Sequence, residues 1–247
     1  MTVLVGIRCH DGIVIGSDSA ATLATGQLRT IEQPIRKVSV IADKILVAGT
    51  GEVGLGQRFC SIVKTAWDAK EFRGDAVQVG RMLCAKAIAD FSSTSADKGG
   101  YGALVAFPVG GSLELCEFAT TNFQPEVKTA DLWFVSMGSG QPIADPCLAF
   151  IRQAFWPVGM PCVEDGVFAV VWTLQQAIRL NPGGINEPMQ IALLTMQGRD
   201  CNARLLEPGE IAEHVANVDG AIDHLRQYRR IVRGDGAPDI PQPPRPT

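Results

Sequence analysis

Met1-Thr-Val-Leu-Val-Gly-Ile-Arg-Cys-His-Asp11-Gly12-Ile-Val-Ile-Gly-Ser17-Asp18 is the stretch from which the rest of this chain is read. Two apolar runs, Val3 to Ile7 and Ile13 to Ile15, flank Asp11-Gly12. That dipeptide suits a type I′ turn, whose two central residues need positive φ, so the stretch predicts a β-hairpin. The residue after the initiator methionine is a threonine, small enough for an aminopeptidase to trim the methionine and leave Thr2 with a free α-amine. An α-amine beside a hydroxyl is a complete base-and-nucleophile pair. Its reference pKa of about 7.7 to 8.0 lies near working pH, so it can take the proton from Oγ. The plainer reading makes Thr2 the first β-branched residue of a strand.

Composition narrows the class. The 247 residues are 46% hydrophobic and 19% charged, which describes a globular protein with a sizeable core, and residues 1–233 read as a single domain. A net charge of −4 gives no reason to expect nucleic acid or an anionic membrane as partner. No run approaches the roughly 18 apolar residues of a membrane span, and no basic region precedes an apolar core at the N-terminus, so a cytoplasmic protein without a signal peptide is expected. The seven cysteines are odd in number and form no CxxC pair, which reads as reduced, mostly buried thiols. His10, His214 and His224 are scattered along the chain, so no metal or cofactor is expected, and catalysis has to be sought without histidine.

Past the first hairpin, Ser19 to Ile35 reads as a polar connection containing Gly26 and Pro34, and Lys37 to Gly49 reads as a second hairpin. From Glu52, Val53, Leu55, Phe59, Ile62, Val63, Ala66 and Trp67 follow helical spacing to about Lys70, so Gly51 sits where a strand gives way to a helix. Asp75 is a candidate N-cap for a second helix to about Phe91. Tyr101 to Pro108 and Ser112 to Ala119 form a third hairpin across Val109-Gly110-Gly111. Leu132 to Met137 is a strand leading through Gly138-Ser139-Gly140 into a helix to about Phe155, and a second helix runs from about Glu164 to Leu180. Met189 to Met196 and Asn202 to Leu206 are the last strands, and a terminal helix from about Pro208 ends among Arg226, Arg229, Arg230 and Arg233, cations that suit a helix C-terminus. The proline-rich tail 234–247 reads as flexible. Strands, two helices, strands, two helices, strands and a helix predict an α+β fold: two central sheets between helical layers, a four-layer αββα sandwich.

Four local patterns make the sequence resemble the proteasome β-subunit family of N-terminal-nucleophile hydrolases, including the bacterial peptidase subunits that pair with a ring ATPase. Thr2-Val-Leu-Val-Gly with Asp11-Gly-Ile-Val-Ile-Gly-Ser-Asp18 is similar to the family's threonine strand and its aspartate-bearing second strand, and Asp18 follows Thr2 by sixteen residues, the family spacing. Arg36-Lys37-Val38 resembles the lysine strand, with Gly51 fourteen residues on at the oxyanion-donor glycine of Ala48-Gly-Thr-Gly51. Met137-Gly-Ser139-Gly-Gln-Pro resembles the turn whose serine supports the terminal threonine. The sequence departs from the family in two places. Lys37 lies three residues farther from Asp18 than usual, an extension placed in the 23–35 loop, and the aspartate often found before the penultimate core strand is not evident, so that Asn181 or Asn186 substitutes or that part of the network differs.

The resemblance implies amide hydrolysis through an acyl-enzyme on Thr2. Lys37 would depress the amine's pKa by like charge, Asp18 would hold the lysine protonated, Gly51 N–H would donate to the oxyanion, and Ser139 would bind the amine as well as cap its helix. It also implies that Ala21, Ile35, Gly49 and Val53 line the pocket for the residue before the cleaved bond; their small, uncharged walls suit a bulky apolar side chain. Stacked homo-oligomeric rings of six or seven subunits, polypeptide substrates and a possible ring ATPase are the implied partners. Two other readings stand: a proteasome-fold ring without peptidase activity, serving as a scaffold or binding chamber, and an amidohydrolase of small amides that needs no ring.

Overall fold

The computed structural model describes residues 1–25, 28–94, 100–181, 183–198 and 200–233, with side chains described outside 22–30. The tail 234–247 and Gly26 of the predicted connection therefore lie outside the described residues. In chain order the elements are β1 (Leu4–Arg8), β2 (Gly12–Ser17), β3 (Ala20–Thr25), β4 (Leu28–Pro34), β5 (Val38–Ile41), β6 (Ile45–Gly51), α1 (Val53–Asp68), α2 (Ala76–Ser93), β7 (Tyr101–Val109) and β8 (Ser112–Phe118). There follow β9 (Pro125–Val127), β10 (Phe134–Met137), α3 (Gln141–Phe155), α4 (Val163–Leu180), β11 (Gln190–Gln197), β12 (Asp200–Leu205) and α5 (Pro208–Arg233).

Two five-stranded antiparallel sheets form, in the orders β10-β1-β2-β11-β12 and β5-β6-β7-β8-β9. Strand alternation sorts their side chains into three cores. Val3, Val5 and Ile7 point to the helical side of the first sheet and pack with Val167, Val170, Val171 and Leu174 of α4. Leu4, Ile13 and Ile15 point the other way and meet Leu46, Leu104 and Leu115 between the sheets. The far side of the second sheet buries Ile45, Val47, Val105 and Phe107 against Leu55 and Phe59 of α1 and Leu83 and Phe91 of α2. The four layers are the expected αββα sandwich. Each of these fully buried side chains is worth about 1.5 to 3 kcal/mol relative to exposure, which is why the period-2 and period-3.6 patterns dominate the folding of the chain.

Local details correct three expectations. The first hairpin forms with Arg8 opposite Ile13, yet neither Asp11 nor Gly12 has positive φ, so its turn is not type I′. Asp11 Oδ1 accepts a hydrogen bond from Val163 N at the start of α4 (2.8 Å), and a Cβ on Gly12 would lie 2.6 Å from Val163 Cγ2 and 2.7 Å from Leu194 O. Gly12 is there for close approach. The positive-φ pair sits instead in the β5–β6 turn, at Ala42 and Asp43, and again at Gly110-Gly111 between β7 and β8. The predicted connection at 19–35 contains a two-stranded ribbon, β3 with β4, paired from Ala20–Pro34 to Thr25–Leu28. It stands outside both sheets, so no alternating buried face marked it in the sequence. The third correction is at Ser139: the N-cap of α3 is Gly140, with no side-chain cap, so Ser139 does not cap the helix. Asp75, by contrast, caps α2 as expected, in a reciprocal box with Gln78.

Among the described residues no helix is long and apolar enough to cross a membrane. None of the seven cysteines is in a disulfide, and among the described residues no group of three or more His, Cys, Asp or Glu is placed to hold a metal ion.

Candidate active site

Alternation along β1 sends Thr2 to the same side as Leu4, into the gap between the sheets at their open end, where it is 8% exposed. Asp18, fully buried, follows β2 in the same sheet; its Oδ1 accepts from Val3 N at 3.0 Å and its Oδ2 from Ala20 N at 3.0 Å. Lys37 leads into β5 of the second sheet and reaches across. Its Nζ lies 2.8 Å from Asp18 Oδ1, 3.1 Å from Thr2 Oγ1 and 3.1 Å from the Met1 carbonyl oxygen. Thr2 Oγ1 itself donates to Met1 O (2.8 Å), and Thr2 N donates to Ser139 Oγ (3.1 Å). Burial pushes the Lys37 ammonium below the ordinary lysine value, opposed by the Asp18 carboxylate beside it.

Two turns hold this group. Gly138 packs so closely that a Cβ there would lie 2.4 Å from Thr2 O, and Gly140 N donates to that same oxygen at 3.1 Å. Gly51 ends β6 with φ of +104°, and a Cβ would lie 1.9 Å from Gly100 O, so only glycine fits. Gln190 on β11 anchors the lysine segment: its Oε1 accepts from Lys37 N (2.9 Å) and Val38 N (3.3 Å), and its Nε2 donates to Ile35 O (2.6 Å).

Thr2 opens onto a cavity of about 490 Å³ walled by the alternating positions Lys37, Ser39, Val47, Gly49 and Gly51 of the β5–β6 pair and by the α1 stripe Val53, Gly56, Gln57 and Cys60. Of the four residues expected to line a substrate pocket, Ile35, Gly49 and Val53 stand at its wall. Ala21 is not: it is drawn into the β3–β4 ribbon opposite Gln33. The walls also include Arg36 and Glu52, so they are not free of charge as the sequence suggested. Asn181 and Asn186, the proposed stand-ins for the missing aspartate, bond elsewhere. Asn181 Oδ1 accepts from Gly183 N and Asn186 Nδ2 donates to Glu32 Oε2, so neither reaches Ser139 or Thr2 through these contacts. Thus Thr2, Asp18, Lys37 and Ser139 form one hydrogen-bonded group with Gly51 at the same cavity, while Gln190, Ser39, Cys60 and Tyr101 went unnoticed in the sequence.

Residues 2–150 match the family model described as Proteasome subunit. The chain belongs to the proteasome subunit family. A curated proteasome subunit beta 1 from Thermococcus gammatolerans is 28% identical over 219 residues, covering 84% of this chain and 94% of that protein. Among solved structures, an Anbu (ancestral beta-subunit) Gly-1 mutant from Hyphomicrobium aligns with a TM-score of 0.70 at 13% identity, over 94% of this chain and 100% of the other. The helical assembly of the Anbu complex from Pseudomonas aeruginosa gives 0.66 at 14% identity, over 98% of both chains. At such identity the structural likeness speaks for the proteasome β-subunit fold, and the family match for its N-terminal-nucleophile hydrolase lineage.

Proposed function

We propose that this proteasome-family chain is a threonine endopeptidase whose nucleophile is Thr2 Oγ, active once Met1 is removed. The observation that carries the reading is the Lys37 ammonium, 3.1 Å from Thr2 Oγ1 and 2.8 Å from Asp18, with Thr2 N already hydrogen-bonded to Ser139. With Met1 attached, Thr2 N is an amide and has no basic lone pair, and the Met1 carbonyl takes hydrogen bonds from both Thr2 Oγ1 and Lys37 Nζ. Removing Met1 turns that nitrogen into an amine and frees both donors. The amine then takes the Oγ proton as Oγ bonds to the substrate carbonyl carbon, and returns it to the leaving amine as the acyl-enzyme forms. Lys37 lowers the amine's pKa and stabilises the developing charge; Gly51 N–H is the oxyanion donor, a kind of contact worth about 3 to 4 kcal/mol. Water, activated by the same amine, releases the product.

Confinement in stacked homo-oligomeric rings of six or seven subunits in the cytoplasm, acting on polypeptides with or without a ring ATPase, is the accompanying assembly we infer; the family membership supports it. A ring without peptidase activity is the competing reading. It is favoured by the bonding of Asn181 and Asn186 away from the site, which leaves the missing carboxylate unreplaced.

Intact mass before and after a peptide epoxyketone, a reagent that needs the adjacent amine and hydroxyl of a terminal threonine, decides between them. Loss of Met1 followed by one adduct per chain, absent in Thr2→Ala, is expected. A trimmed chain that stays unlabelled would select the inactive ring.

A further inference from the structure

The ring of Tyr101 belongs to the core beneath the second sheet. It stacks on Phe123 (centroids 6.0 Å apart) and meets Phe59 and Phe91 edge-on, in a cluster otherwise made of phenylalanines. A phenylalanine would serve that packing equally well, so the hydroxyl needs another reason. Tyr101 is 2% exposed, yet it lines the cavity beside Thr2, and its hydroxyl makes no hydrogen bond to any described residue. Two glycines leave room around it. A Cβ on Gly49 would lie 2.5 Å from the Tyr101 hydroxyl, and one on Gly56 would lie 3.6 Å from it. The hydroxyl is not among the fully buried unpaired side-chain atoms of the described residues, so it opens onto the cavity, where a ligand group could pair with it. Burial holds its pKa well above the usual tyrosine value, so the phenol stays neutral and can both donate and accept.

The rest of the cavity fits the same ligand. Its rim carries the exposed Arg36, Glu52, Val53 and Gln57, and its shaft the half-buried Ile35 and the buried Val47. At the buried end, Tyr101 is joined by Cys60, whose thiol faces the Ser39 hydroxyl. An apolar shaft with neutral hydrogen-bonding groups at its end suits a side chain with an apolar body and a neutral polar tip, which is the chemistry of tyrosine. It differs from the bulky apolar side chain expected from Ala21, Ile35, Gly49 and Val53.

We propose that Tyr101 is a specificity residue: its hydroxyl hydrogen-bonds the tip of the substrate side chain in this cavity, so that the site selects tyrosine over phenylalanine before the cleaved bond. The substrate assignment rests on the peptidase reading above. The selection itself is tested by binding, without turnover. N-acetyl-tyrosine amide and N-acetyl-phenylalanine amide are titrated into the full-length protein and followed by ligand-observed NMR. The tyrosine amide is expected to bind about tenfold tighter, the worth of one hydrogen bond to an otherwise unpaired group, and Tyr101→Phe to bring the two within about twofold. Equal binding in the wild type, failure of both to bind, or a preference that survives Tyr101→Phe overturns the proposal; the wild-type comparison decides alone if the variant does not fold. Epoxyketone labelling separates the two ideas. Labelling without tyrosine preference sinks only the role of Tyr101, and preference without labelling sinks only the peptidase.

Discussion

Lys37 is the residue whose surroundings matter most. It is 8% exposed, and the Asp18 carboxylate is what makes a charged ammonium tolerable there. Its pKa lies below the ordinary lysine value of about 10.4, because burial disfavours the charged form. On the proposed mechanism the amine has to be neutral and the lysine charged, so kcat/KM is expected to fall on the acid side below about pH 8 and on the alkaline side already below about pH 10.4. A pH profile of peptide hydrolysis checks this, and an alkaline limb at or above the free lysine value would contradict it. The stability contribution runs the other way. Because the folded state binds the lysine proton less tightly than the unfolded chain, this group favours folding more as pH rises through the interval between the two values. At this scale most of the site was legible. Thr2 stood out for its own chemistry, Asp18, Lys37 and Ser139 for their resemblance to the motifs of a known family, and the fold brings the four into one hydrogen-bonded group. Tyr101 was hidden because its ring obeys the core pattern, and only its hydroxyl does something else. Gln190 was hidden because a glutamine at the start of a strand gives no sign of which backbone it will anchor.

Among the elements, the contact between β2 and α4 controls how well the site is held. A Cβ on Gly16 would stand 2.3 Å from Val170 Cγ1 and 3.0 Å from Leu174 Cδ1, both on the helix that covers the strand leading to Asp18. Gly16→Ala is therefore expected to lower stability by about 1 to 3 kcal/mol through overpacking, seen as a reduced midpoint in urea. Gly54→Ala is the control. It lies in the first turn of α1 with nothing within 4 Å of the added methyl, so it should leave stability unchanged or raise it by up to about 1 kcal/mol. A Gly16→Ala protein as stable as the control would show that the layers are looser than described. The helices and buried strands were legible at this scale because burial imposes a period. The β3–β4 ribbon was not, since a ribbon outside both sheets imposes none, and three-residue β9 is too short to show one. The first turn was misread because a glycine wanted for close approach to α4 looks, in sequence, like a glycine wanted for positive φ.

Seen as a whole, the molecule divides the chemistry between its two sheets. Thr2, Asp18 and Gln190 belong to the first, Lys37 and Gly51 to the second, and the contacts that join them are 2.8 to 3.1 Å long. Between the sheets lies the apolar layer of Leu4, Ile13, Ile15, Leu46, Leu104 and Leu115, whose attraction has no preferred direction and tolerates a small slide, with one edge pinned where Ala203 N donates to Asp43 O at 2.8 Å. Hydrogen bonds of this kind do not tolerate it. The cleft therefore works as a vernier, reading the alignment of two plates that would stay stuck together long after they had moved out of mark. In rising urea, epoxyketone labelling should vanish before the far-ultraviolet circular dichroism changes, and coincident loss of the two would mean the plates part only when the whole fold does. The alignment of the layers, and not just their survival, is what a cell would have to preserve to keep such a site working.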